Sequence, residues 1–120
     1  MAKDSQSVLF DANVTGAGPT AGTAFDSRTS FGNYPRAIPI TMRVTAIGGT
    51  GGPTVQLILK SSDTTSFTTP KETLTVAAVN AVGSYTYAFA TKYRYVRAEI
   101  AMTGTSPTST VKVDVVQAAQ

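Results

Sequence analysis

The chain contains no cysteine, no histidine and no tryptophan, and charged residues fill only 14% of its 120 positions. Without cysteine there is neither a disulfide framework nor a thiol nucleophile, and without cysteine or histidine the usual zinc ligand sets are missing. The commonest general base is missing as well, and with it every Ser-His-Asp arrangement. No segment reaches the roughly 18 continuous apolar residues that a membrane span needs. The opening "MAKDSQSVLF" carries Lys3 and Asp4 and no apolar core, so it does not read as a secretory signal. Synthesis in the cytoplasm is the expectation.

Soluble monomers usually carry about a quarter of their residues as charges. A surface this short of charge suits one that another surface covers, a hint of assembly. The net charge is +3, and the only basic cluster runs from Lys92 to Arg97. Nucleic-acid binding normally needs several clustered cations to neutralise phosphates, so the balance argues against it. Length and an apolar content of 42% fit one domain over residues 1–120 with one modest core.

What the chain does have is threonine, twenty times, with Val, Ile, Tyr and Phe supplying much of the other bulk. β-Branched and aromatic side chains suit a pleated, half-buried surface. No stretch sustains a helical period, and Gly or Pro interrupts at short intervals, so the expected class is all-β. Alternation places the strands. In "RAIPITMRVTAI", Ile38, Ile40, Met42, Val44 and Ala46 share one face and Thr41, Arg43 and Thr45 the other. Pro39 cannot donate to a ladder, which puts the start of this strand at a sheet edge or outside the ladder. "TVQLILKS" sets Val55, Leu57 and Leu59 against Gln56 and Lys60, with Ile58 breaking the pattern and in need of a cover. "ETLTVAAV", "SYTYAFA", "YVRAEIAM" and "STVKVDVVQ" alternate in the same way. With "SVLFDA" and "TAFDS" the count approaches eight, which predicts an antiparallel sandwich of jelly-roll type. Residues 1–35 have little periodicity beyond the first strand. They read either as an arm that orders against a neighbouring subunit or as a loose terminus.

Four stretches could carry a site. "DANVTG", from Asp11 to Gly16, opens like a calcium loop, but the position needing a bidentate Glu is Gly22, so turn chemistry explains it better than a metal. "GGTGGP", from Gly48 to Pro53, is followed by a strand where a phosphate loop would have a helix, and predicts a β-hairpin instead. "KYRYVR", from Lys92 to Arg97, interleaves cations with aromatics. If Val96, Ala98 and Ile100 face the core, then Tyr93, Tyr95 and Arg97 share the opposite face. That face is an ordinary solvated sheet surface, a protein interface, for which Tyr and Arg are favoured, or a single-strand nucleic-acid platform. The fourth stretch is the hydroxyl-rich excursion "KSSDTTSFTTPK", from Lys60 to Lys71, with Asp63 as its one acid and Phe67 as its one aromatic. Short polar side chains in such loops mostly bond to local backbone and set turns. Asp63 and Glu72 could meet at the base of one hairpin, yet nothing marks them as a catalytic pair. The sequence therefore implies no enzyme, no cofactor, no metal and no small-molecule substrate.

Taken together, "SVLFDA", "VQLILKSSDTTSFTTPKETLTV" and "KYRYVRAEIAMTGTSPTSTVKVDVV" resemble, in order and spacing, the small capsid cement (head decoration) proteins of short-tailed bacteriophages. The resemblance covers about two thirds of the chain and leaves residues 15–35 unmatched. It implies a jelly-roll-like sandwich that forms a homodimer or homotrimer on the outside of a virion capsid. There it would bridge major capsid protein subunits and hold the shell against packaged DNA, with no membrane partner. Asp63, Phe67, Lys71, Tyr93, Tyr95 and Arg97 are the candidate interface residues, the loop from Lys60 to Lys71 being a rim that touches capsid protein. A carbohydrate- or host-receptor-binding module on the same type of sandwich is the alternative, although the chain has no Trp and just five Tyr to build an aromatic platform.

Overall fold

The computed structural model describes residues 8–16, 18–26, 36–64, 66, 67, 69, 71–91 and 93–115. These form an all-β structure without helices, in which seven strands share one antiparallel sheet. The strands are β1 (Val8–Thr15), β2 (Thr20–Ala21), β3 (Phe25–Asp26), β4 (Arg36–Ser62), β5 (Glu72–Thr75), β6 (Gly83–Thr91) and β7 (Tyr95–Val115).

Two long strands form the spine. β4 and β7 pair antiparallel from Ile40↔Val115 to Ser62↔Tyr95. The expected hairpin at "GGTGGP" is therefore absent, and so is the division of "YVRAEIAM" from "STVKVDVVQ": each pair of expected strands is one strand. The reason lies in the glycines. The β4–β7 register shifts between Val44 and Ala46, between Gly48 and Thr50, and between Thr50 and Thr54. Such irregularities bend a strand without ending it. Gly104, at φ +114, shows the demand: a Cβ there would lie 3.0 Å from both the Pro53 Cα and the Thr50 carbonyl oxygen. Both strands bend at the same level, so each keeps its partner.

On either side of this glycine band the spine carries a different set of neighbours. Before it, β4 pairs with β6 (Arg36↔Thr91 to Val44↔Gly83), and β1 lies along the far side of the carboxyl-terminal part of β7. Pro39 is in register with β6 but precedes the described β7 ladder, which starts at Ile40. Beyond the band, β4 pairs with β5 (Ile58↔Thr75 to Ser61↔Glu72), and β2 and β3 flank the amino-terminal part of β7.

Period-two patterning decides what is buried. Ile38, Ile40, Met42 and Val44, then Val55, Leu57 and Leu59, then Val96, Ala98, Ile100 and Met102, then Val111, Val113 and Val115 all enter one hydrophobic cluster with Leu9, Phe10, Val14, Val76 and Phe89. Ala46 departs from expectation. The register shift after Val44 turns it outward, and Ile47 packs against the core in its place. Ala78, which the alternation of "ETLTVAAV" puts on the inward face with Leu74 and Val76, is exposed. The reason is that β5 ends at Thr75 and the chain bulges away between Val76, still bonded to Leu57, and Val79, which pairs with Val55.

The amino-terminal stretch is not an arm over its described length: β1, β2 and β3 all pair with β7 of the same chain. Residues 27–35, part of the same expectation, lie outside the described residues. Asp11 to Thr15, the would-be calcium loop, are strand residues, and a bend comes only at Gly16. Gly22 ties this stretch down. Its N–H donates to the Ala98 carbonyl at 2.9 Å and the next residue's N–H, that of Thr23, donates to the Leu9 carbonyl at 2.9 Å. A Cβ on Gly22 would overlap the Leu9 carbonyl oxygen, so only glycine permits the approach.

Candidate functional site

The excursion after β4 and the aromatic-basic segment before and within β7 meet at one end of the sheet. The register brings them there, since Lys60 is opposite Arg97, Ser61 opposite Val96 and Ser62 opposite Tyr95. The loop is closed at its base by the Lys71 N–H, which donates to the Ser61 carbonyl at 2.7 Å. Inside it, the buried Ser62 hydroxyl accepts the Thr64 N–H at 3.2 Å, and the Thr64 and Ser66 hydroxyls lie 3.1 Å apart. These are the local bonds expected of short polar side chains in turns.

Phe67 holds the loop in place. It adopts φ +53, unusual for a non-glycine residue, and is only 5% exposed. Its ring lies under the Arg97 guanidinium, 4.6 Å from carbon to ring centroid. Arg97 also donates through Nη2 to the Glu99 carboxylate at 2.7 Å, and Lys60 Nζ reaches the other oxygen of that carboxylate at 3.2 Å. The Glu99 side chain is 5% exposed, against 27% for Lys60 and 21% for Arg97. The result is a carboxylate held by two cations, with an aromatic ring stacked on one of them. Burying that carboxylate is tolerable only because both partners are in place.

The remaining candidates surround this cluster. Tyr95 is half-buried on the same face of β7 as Arg97 and Glu99, with the Arg94 guanidinium 5.0 Å from its ring centroid. Tyr93 lies outside the strand, at a bend, and its N–H donates to the Thr91 hydroxyl at 3.2 Å. The expectation that Tyr93 shares the Tyr95–Arg97 face by strand parity is therefore not met, because the strand begins only at Tyr95. Asp63, Thr64, Ser66, Thr69 and Lys71 are exposed. Phe67, expected to touch a partner, is instead buried within its own chain, with the Arg97 guanidinium over its ring. Lys92 is outside the described residues.

Glu72 does not pair with Asp63. Its carboxylate accepts hydrogen bonds from the Thr91 hydroxyl at 2.5 Å and from the Ser61 hydroxyl at 3.5 Å, so it links β5, β4 and the end of β6. Sequence reasoning missed this link and the burial of Glu99. Parity put Glu99 on the outward face, and only the long-range placement of Phe67 and Arg97 shows that this face is covered. Ile58, which needed a cover, is half-buried between Thr75 and Glu99 in the register.

Chemically the site is a set of exposed hydroxyls and single charges mounted on a fixed base. Among the described residues no three acidic side chains are grouped to hold a metal ion. Comparison with protein-family models, with curated proteins and with solved structures returns no match.

Proposed function

We propose that the chain is a virion structural protein that cements the outside of a phage capsid. In this reading it bridges major capsid protein subunits and braces the shell against the pressure of packaged DNA. We also infer that the sheet folds at its glycine band into a jelly-roll-like sandwich. Support for the fold comes from one hydrophobic cluster fed by both sides of the band, and from the ties Thr23–Leu9 and Thr91–Glu72, which join segments on opposite sides of it.

One observation carries the functional reading: the loop between Lys60 and Lys71 is fastened by Phe67 to Arg97, leaving Asp63, Thr64, Ser66, Thr69 and Lys71 at the surface. A rim whose base is fastened before contact loses less conformational entropy when it docks. Each contact is modest, but contacts repeated over a capsid lattice add through multivalency. The rim and its base are also two of the three segments that carry the resemblance to capsid cement proteins.

The test is cosedimentation with undecorated capsids from the same genome. The parent chain pellets with the capsid, and a variant with residues 64–69 deleted stays in the supernatant or binds at least tenfold more weakly. Undiminished binding by the deletion variant removes the rim from the account. Absence of binding by the parent refutes the capsid role.

A further inference from the structure

We propose that β6 is a dimerisation edge, pairing antiparallel with β6 of a second copy of this chain so that the two sheets become continuous. Open sheet edges present unpaired N–H and C=O groups, and proteins blunt them with shortness, charge, proline or bulges. Three edges here are blunted in these ways. β5 is only four residues long and carries Glu72. β2 and β3 have two residues each, and β1 carries Asp11 and a register shift between Val8 and Phe10.

β6 has none of these protections. Its nine residues, Gly83 to Thr91, include no charge and no proline, and they keep an unshifted register with β4 over their whole length. Among the described residues no strand pairs with its outer edge. The outward side chains Ser84, Thr86, Ala88 and Ala90 are small and exposed, so nothing holds a second strand away. Tyr85 and Tyr87 are only half-buried on the other face and would gain cover from the partner. At the amino-terminal end of the same edge is Val82, 58% exposed, the one large exposed hydrophobic residue among those described.

With the two-fold axis passing Tyr87, the strand's midpoint, Thr86 of one copy faces Ala88 of the other, and Ser84 faces Ala90. Nine residues span about 30 Å. Edge pairing of that length covers roughly 600 Å² in total, well below the about 1,200 Å² at which stable specific interfaces begin, so the dimer is a weak, concentration-dependent one, with dissociation in the micromolar range or weaker.

Sedimentation velocity from about 1 µM to about 1 mM, with no capsid present, tests this independently of the capsid role. The parent shifts from monomer to dimer across that range. Thr86→Lys with Ala88→Lys, both exposed, places four ammonium groups beside the axis and weakens dimerisation at least tenfold, with circular dichroism unchanged. Because the chain has no cysteine, a mixture of Thr86→Cys and Ala88→Cys chains reports the register directly. Mild oxidation gives a disulfide-linked dimer, whereas Asn13→Cys on β1 gives none. A chain that stays monomeric at about 1 mM overturns the proposal. So does a dimer that ignores the lysine pair and cross-links through Asn13→Cys.

Discussion

Replacing Phe67 by alanine tests whether the rim is held from beneath. Burying a phenylalanine side chain contributes about 1.5–3 kcal/mol. Contact of its face with a half-buried guanidinium adds about 1 kcal/mol. Loss of both puts Phe67→Ala at about 3 kcal/mol below the parent. The backbone supplies an internal control. At φ +53 every L residue carries strain of about 1 kcal/mol, which glycine does not. Phe67→Gly therefore costs about 2 kcal/mol, less than alanine although it removes more side chain. Urea unfolding followed by far-ultraviolet circular dichroism reads the difference. With a slope of about 1.5 kcal/mol per molar, alanine lowers the midpoint by about 2 M. A double-mutant cycle with Arg97→Ala isolates the ring–guanidinium contact, for which a coupling of about 1 kcal/mol is expected. A midpoint for Phe67→Ala within about 0.3 M of the parent refutes the fastening, and glycine proving the more damaging change refutes the strained backbone.

Three further outcomes follow from the same geometry. Glu99→Gln leaves Lys60 and Arg97 facing each other without their shared carboxylate, and should cost about 2 kcal/mol in urea unfolding. That is less than the 3–5 kcal/mol of a fully buried pair, because both cations keep some solvent; adding Lys60→Met recovers part of it. Gly22→Ala forces a methyl group onto the Leu9 carbonyl oxygen and should lower stability by more than about 2 kcal/mol, whereas Gly52→Ala, where the added carbon meets open space, costs only the strain of its positive φ, about 1 kcal/mol. Burial, with a smaller contribution from the neighbouring Tyr85, pushes the Tyr87 phenol above its ordinary 10.0. A raised folded-state value means the unfolded chain releases this proton first. Its contribution is therefore full below pH 10 and is lost as pH climbs through the folded-state value. Urea midpoints between pH 9 and pH 11 should fall less steeply in Tyr87→Phe than in the parent.

Alternation made the strands and their buried faces legible, because side-chain parity is a local property. Val55, Leu57 and Leu59, and likewise Val111, Val113 and Val115, are buried as their spacing requires. The glycine band was misread because the same residues serve a hairpin and a bulge. Choosing between them depends on the partner strand, and β7 lies some fifty residues further along the chain from β4. One shifted register was enough to turn Ala46 out and Ile47 in. The candidate surface was legible as two separate segments, since hydroxyls and Tyr–Arg alternation are visible in a line of text. That Phe67 is enclosed, and that Glu99 is shielded with it, depends on contacts across thirty residues that no local pattern encodes.

The continuity of β4 and β7 through both sides of the glycine band also governs how the molecule comes apart. Neither side can detach as an independent unit, because each owns half of the same two strands. Amide protons on the two sides should therefore exchange through a single global opening, leaving only the rim and the short edge strands to breathe separately.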